Sequence, residues 1–279
     1  MIISTHSHLC SKPKDLDRLV NSGIFRQIWL LHTWYAHDDQ HQDAPYAKAT
    51  PEELLAVCRD YSGFFIPFGC LDFTGTPDHI DRLFDAGFVG LKAIAPEKPY
   101  DDYSYFSFYE RASYYKMPIV FHTGGIALGR DYVGPNRSFG QNTMKPSMLG
   151  AIAHSFPDLT LIGAHLGYPW MEETTNILNC KNIYFDMSEG NSEAIARWLV
   201  DNLDRRTVDG RSYTEKILFG IDARIGRKEI HDDVFESAHF WESFFRRFGR
   251  CHNWGRPEEI EKIMLRNALS IQFPENPKG

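Results

Sequence analysis

Apolar residues recur along this chain in short unbroken runs, and stretches with helical spacing separate them from one end to the other. The first run, residues 2–8, is Ile2-Ile3-Ser4-Thr5-His6-Ser7-His8. Others fall at 27–32, 64–71, 88–94, 118–122, 159–165, 182–187 and 216–222. Near-continuous apolar runs of this length mark parallel strands covered on both faces. Between them, Leu16, Leu19 and Val20 lie at helical spacing over 14–21, closed by Gly23. Thr50-Pro51-Glu52-Glu53 offers an N-cap, a first-turn proline and a capping-box glutamate. Thr76-Pro77 opens a helix that carries Ile80, Leu83 and Phe84 and stops at Gly87. Further helices are predicted at 103–115, 145–154, 170–178, 192–203, 235–248 and 257–269. Pro67 and Gly69 weaken the third strand. Eight strands, each followed by a helix, is the count of a (β/α)8 TIM barrel, an α/β fold predicted here as a single domain over 1–279. An open doubly wound sheet is the other α/β solution, but no G-x-G-x-x-G follows the first strand.

Composition narrows the function more than the fold. With 43% hydrophobic residues, the 279-residue chain can fill one large core. A net charge of −7 without a long basic run argues against a nucleic-acid or anionic-membrane partner. No apolar stretch reaches the roughly 18 residues of a spanning helix. The first strand starts at the N-terminus without a leader, so a cytoplasmic location is expected. The five cysteines are scattered and form no C-x-x-C, which disfavours a disulfide framework or a thiolate zinc site. Cys10, beside the first histidines, is taken as packing.

Polar residues fall where the apolar runs end. His6 and His8, two apart, project from one face of a regular strand. Lys92 lies late in strand four, His122 ends strand five, His165 ends strand six and Asp222 ends strand eight. A barrel gathers its strand C-termini on one face, where barrel enzymes work. A lone histidine at a strand end is ordinarily structural. Four of them with an aspartate point instead to a ring of three or four ligands for a divalent metal.

His6-Ser7-His8, Val120-Phe121-His122-Thr123-Gly124, Gly163-Ala164-His165-Leu166-Gly167 and Leu218-Phe219-Gly220-Ile221-Asp222 together resemble the amidohydrolase superfamily. The nearest branch is amidohydrolase family 2, with aminocarboxymuconate-semialdehyde decarboxylase. Residues 87–92 and Arg266-Asn267-Ala268-Leu269 are also similar to that branch, so the likeness spans essentially the whole chain. It implies that His6, His8, His122 and Asp222 hold one catalytic metal, zinc first and manganese second. His165 would then polarise the substrate or shuttle a proton. In other branches a carbamylated lysine, here Lys92, bridges two metals with His122 and His165 on the second. One metal is the preferred expectation. The branch often follows its last aspartate with an aromatic residue and proline, whereas this chain has Asp222-Ala223-Arg224-Ile225-Gly226.

A metal with an open position activates water at neutral pH. The expected function is therefore hydrolysis of a small, carboxylated substrate such as an amide or lactone. Asp222 would take the proton and His165 would stabilise an oxyanion. Non-oxidative decarboxylation is the alternative within the branch, and a non-catalytic metal- or ligand-binding barrel is the alternative outside it. Two long loops, 34–49 and 124–143, follow strands two and five and are expected to shape the pocket. Arg130 and Arg137 would bind an acidic group of the substrate, and Trp34, Tyr35 and Trp170 would line the pocket. His32 would stand behind the ligands or sit in the core, and Glu189 ends strand seven on the active face. The stripe Phe235, Phe240, Trp241, Phe244, Phe245 and Phe248 suggests core packing, with a homodimer contact or barrel lid as the alternative.

Overall fold

Nine strands, all paired in parallel, form one sheet in this computed structural model, which describes residues 1–33, 48–124, 142–188 and 192–275, the side chains of 228–230 excepted. They are β1 (Ile2–Leu9), β2 (Phe25–Leu31), β3 (Phe65–Cys70), β4 (Gly90–Ala93), β5 (Ile119–Phe121), β6 (Leu161–Gly163), β7 (Ile183–Asp186), β8 (Ile217–Leu218) and β9 (Ala223–Ile225). Their hydrogen-bonded order runs β8-β7-β6-β5-β4-β3-β2-β1-β9. The two outer members, β8 and β9, are consecutive pieces of one segment. Met187 N–H donates to the Leu218 carbonyl at 3.0 Å, and Thr5 N–H donates to the Phe219 carbonyl at 2.9 Å. The same segment therefore touches both edges and closes the ring. The chain is a (β/α)8 TIM barrel.

The predicted strand 216–222 is thus broken in two. Leaving the β7 ladder for the β1 ladder requires a turn, and Asp222 makes it with φ 56°. Helix 235–248 starts earlier than its aromatic stripe, at Lys228, and ends at Phe248. Trp241, Phe244 and Phe245 are buried, whereas Phe240 (51%) and Phe248 (57%) are exposed, so the stripe packs mostly inward. The predicted helix 257–269 is Pro257–Glu261, a π turn over Lys262–Arg266, and Asn267–Ser270. Within that wide turn the Ile263 carbonyl accepts from Phe219 N–H at 3.1 Å, tying it to the eighth segment.

Pro67 is tolerated inside β3 because of where β4 begins. Its carbonyl accepts from Val89 N–H at 3.1 Å, and pairing with β4 starts only at Phe68 opposite Gly90. The missing donor therefore faces the turn before β4 rather than a ladder.

Two cores flank the sheet. Leu30, Leu91, Phe121, Leu161 and Phe185 face the surrounding helices. Ile3, Trp29, Phe68, Val120, Ile162 and Leu218 fill the barrel interior, closed by Ala268 and Ile271 from the C-terminal segment. Trp29 stacks on Phe68 at 5.0 Å, and Phe273 meets the Trp29 ring edge-on at 5.4 Å. Gly90 makes room for this layer, because a Cβ there would lie 2.3 Å from the Phe68 ring. Among the described residues, no helix is long and apolar enough to cross a membrane.

Candidate metal centre

A bulge in β1 aims the first two histidines. Ser4 pairs with Ile28 and Ser7 with Leu30, so three steps of β1 match two of β2. The extra residue flips the alternation, and both Ile3 and the later His6 and His8 face the barrel interior. The His6 ring has Nδ1 2.9 Å from Asp186 Oδ2, and the His8 ring has Nδ1 2.7 Å from the Leu31 carbonyl. Both acceptors fix the proton on Nδ1 and leave Nε2 as the lone-pair nitrogen.

Those two lone pairs converge on one oxygen. Asp222 Oδ1 is 3.2 Å from His8 Nε2 and 3.5 Å from His6 Nε2. Lone pairs facing a carboxylate at such distances repel unless a cation lies between them. Donors sharing one tetrahedral ion at 2.0–2.1 Å are separated by about 3.4 Å. The chemistry and spacing of this donor set fit a divalent metal. His165 extends it: His6, His165 and Asp222 each offer a donor atom within 4.8 Å of the others.

Electrostatics keeps the donors in ligand form. Burial and the charge of Lys92 push the His6 imidazole down to about 4 against the pull of Asp186 and Asp222, so it is neutral at pH 7. Burial alone would raise Asp222, yet His6, the His8 contact and His165 hold it well below the usual carboxylate range. Lys92 is fully buried with Nζ 3.2 Å from His6 Nε2, and burial lowers it to about 8.

His165 does not end β6 as a strand residue. It stands beyond the strand at φ 58°, opening a short turn over His165–Gly167. Gly124, at φ 114°, lets β5 approach that turn, since a Cβ there would lie 1.9 Å from the Tyr168 carbonyl. This close approach brings His122 beside His165, with His165 Nε2 3.3 Å from His122 Nδ1. His165, rather than His122, therefore groups with His6 and Asp222.

The other sequence-derived candidates are dispersed. Trp170 is half-buried, with the Lys145 ammonium 5.4 Å over its ring. His32 is half-buried past the end of β2, at the parity opposite to inward-facing Trp29 and Leu31. Arg130, Arg137, Trp34, Tyr35 and Glu189 lie outside the described residues. Cys10 is buried among Leu9 and its neighbours, and burial raises its thiol.

Sequence reasoning passed over three residues. Asp186 ends β7 fully buried against His6, and Ser188 follows it with Oγ 2.9 Å from His165 Nδ1. Asp186 carried the same signal as His122, a polar residue closing an apolar run. Arg224 is the third. It pairs in register with His8, and it shares with Asp222 a cavity of about 590 Å³ whose lining includes Asp233, Val234 and Phe240.

The model of the amidohydrolase family matches residues 35–270 of the chain. No curated protein gives a match. Among solved structures, 2,6-dihydroxybenzoate decarboxylase from Rhizobium is similar at 16% identity and TM-score 0.62, over 97% of this chain and 98% of that one. A probable 2-pyrone-4,6-dicarboxylic acid hydrolase from Acinetobacter baumannii, with citric acid bound, is similar at 11% identity and TM-score 0.59 over the same shares. The 5-carboxyvanillate decarboxylase from Novosphingobium aromaticivorans, complexed with manganese and 4-hydroxy-3-methoxy-5-nitrobenzoic acid, is similar at 12% identity and TM-score 0.59, over 96% of this chain and 94% of that one.

Proposed function

The chain belongs to the amidohydrolase family of metal-dependent enzymes, and from that premise we propose that it hydrolyses a small carboxylated substrate at a single divalent metal. The observation that carries this is the meeting of His6 Nε2 and His8 Nε2 on Asp222 Oδ1 at 3.5 and 3.2 Å. His6, His8 and Asp222 would hold the ion, zinc first and manganese second, with His122 completing the set. When bound, such an ion polarises the substrate and lowers the pKa of water to about 7.

Asp222 is 28% exposed and ionised, so it can accept a proton at the cavity wall. His165 moves a proton between the attacked centre and the leaving group. Arg224, on the face that carries His8, gives the cavity a cation for the substrate's acidic group. It supplies from the described residues what Arg130 and Arg137 were expected to supply.

Decarboxylation is the second reading. It is favoured by the position of His165 beside Asp222 at the site, from which a protonated imidazole would deliver its proton to a carbon losing carbon dioxide. Two of the similar structures are decarboxylases and one is a probable hydrolase. The test is a panel of lactones, amides and aromatic carboxylates with zinc- or manganese-loaded protein, following acid release and carbon dioxide release in parallel. Acid release that falls about 10²–10⁴-fold in Asp222→Asn supports hydrolysis. Carbon dioxide release without acid release replaces it with decarboxylation. Bound metal with no turnover across the panel would return the barrel to a binding role.

A further inference from the structure

Four donors converge on the Asp186 carboxylate, a buried acid that the proposed chemistry does not consume. Oδ2 accepts from His6 Nδ1–H at 2.9 Å. Oδ1 accepts from the backbone N–H groups of His165 and Ser188, each at 3.0 Å, and from the Ser188 hydroxyl. A serine hydroxyl has a single proton to give. With that proton on Asp186, Ser188 Oγ faces His165 Nδ1, 2.9 Å away, as an acceptor. The Ser188 carbonyl, 3.3 Å from the same nitrogen, is a second acceptor.

Two acceptors around one ring nitrogen require it to carry the proton. We infer that Asp186 and Ser188 together set the tautomers of the site, holding His6 and His165 both as Nδ1–H imidazoles. The consequence passes one residue further. His165 Nε2 is then the acceptor in its 3.3 Å contact, so His122 Nδ1 donates and His122 Nε2 keeps its lone pair. His165 thus enters the reaction as a proton acceptor at Nε2, a starting state that suits proton transfer and not an oxyanion donor. Asp186 and Ser188 are positioning residues, acting through the histidines and not on substrate.

The part of this inference that concerns metal affinity rests on His6 being a ligand; the tautomers do not. The experiment is long-range ¹H–¹⁵N correlation of the imidazoles in zinc-loaded and metal-free protein, assigned with His165→Gln. Wild type is expected to show protonated Nδ1 and unprotonated Nε2 at His165. Ser188→Ala leaves His165 Nδ1 only the 3.3 Å carbonyl and should move it to a mixture of tautomers. His6, which loses its 3.1 Å contact with Ser188 Oγ, should stay Nδ1–H on Asp186, and Ser188→Thr, which keeps the hydroxyl, should restore the original state. Asp186→Asn should weaken zinc binding about 10–100-fold in chelator competition. If Asp186→Asn fails to fold, the two Ser188 variants still decide the matter. A protonated His165 Nε2 in wild type, or a Ser188→Ala spectrum identical to wild type, would overturn the inference. Wild-type protein that binds no zinc but shows the expected tautomers would overturn the metal reading and leave this one standing.

Discussion

Replacing Lys92 with methionine should make the metal site tighter at neutral pH, and the structure sets the size of the effect. Lys92 Nζ is 3.2 Å from His6 Nε2, the nitrogen that would bind the ion. A zinc ion about 2.1 Å from that nitrogen lies within about 5 Å of Nζ. At an effective dielectric of about 20, a dication and an ammonium at that separation repel by roughly 7 kcal/mol. Neutralising Lys92 is far cheaper. With its pKa lowered to about 8, losing the proton at pH 7 costs only about a tenfold loss of affinity. Metal binding should therefore expel the Lys92 proton. In chelator competition, wild-type affinity should climb with pH one order per unit more steeply than Lys92→Met between pH 6.5 and 8. At pH 7 the variant should bind about ten times more tightly, and above pH 8 the two should converge. Parallel pH slopes would refute the reasoning. Loss of one of two metal equivalents in Lys92→Met would instead make Lys92 a carbamylated bridging ligand.

Two predictions concern the frame of the barrel. Lys216 is buried with Nζ 2.9 Å from the Cys180 and Lys181 carbonyls, and burial lowers it to about 7. Its folded pKa lies below the unfolded value of about 10.4, so the unfolded chain holds the extra proton between them and stability rises with pH across that window. The gain is on the order of 5 kcal/mol, and urea midpoints from pH 7 to 10 should show it in wild type and a flatter profile in Lys216→Met. Equal pH profiles would mean that Lys216 keeps its ordinary pKa in the fold and would refute the argument. Gly90→Ala should lower stability by about 1–3 kcal/mol, because its Cβ would lie 2.3 Å from the Phe68 ring. Thermal unfolding checks this, and Phe68→Leu in the same chain should recover part of the loss.

The barrel was legible in the chain because its signals are local. A buried parallel strand needs a short apolar run, a helix needs its spacing and caps, and both survive without knowledge of neighbours. The run 118–122 held its place as β5 with His122 just beyond, and the capping box at Thr50 and Glu53 formed as written. Polar residues closing apolar runs likewise pointed to His6, His8, His165 and Asp222 before any geometry was known. The signal failed where a strand had to change partners. Residues 216–222 look like one strand, but closure of the ring splits them and turns Asp222 toward the histidines.

What the sequence determined alone was the alternation of strands and helices and the chemistry of the strand ends, since each depends on a few adjacent residues. Only the tertiary structure decided which of those ends meet. The bulge in β1 chose the face of His6 and His8, the left-handed turn at His165 set that ring beside Asp222, and Gly124 let His122 approach it. The protonated nitrogen of each imidazole was decided later still, by acceptors about 20 to 180 residues distant such as Ser188 and Asp186. A hydrogen bond depends on tenths of an ångström across the barrel, and that distance is a property of strand tilt and curvature rather than of any run of letters.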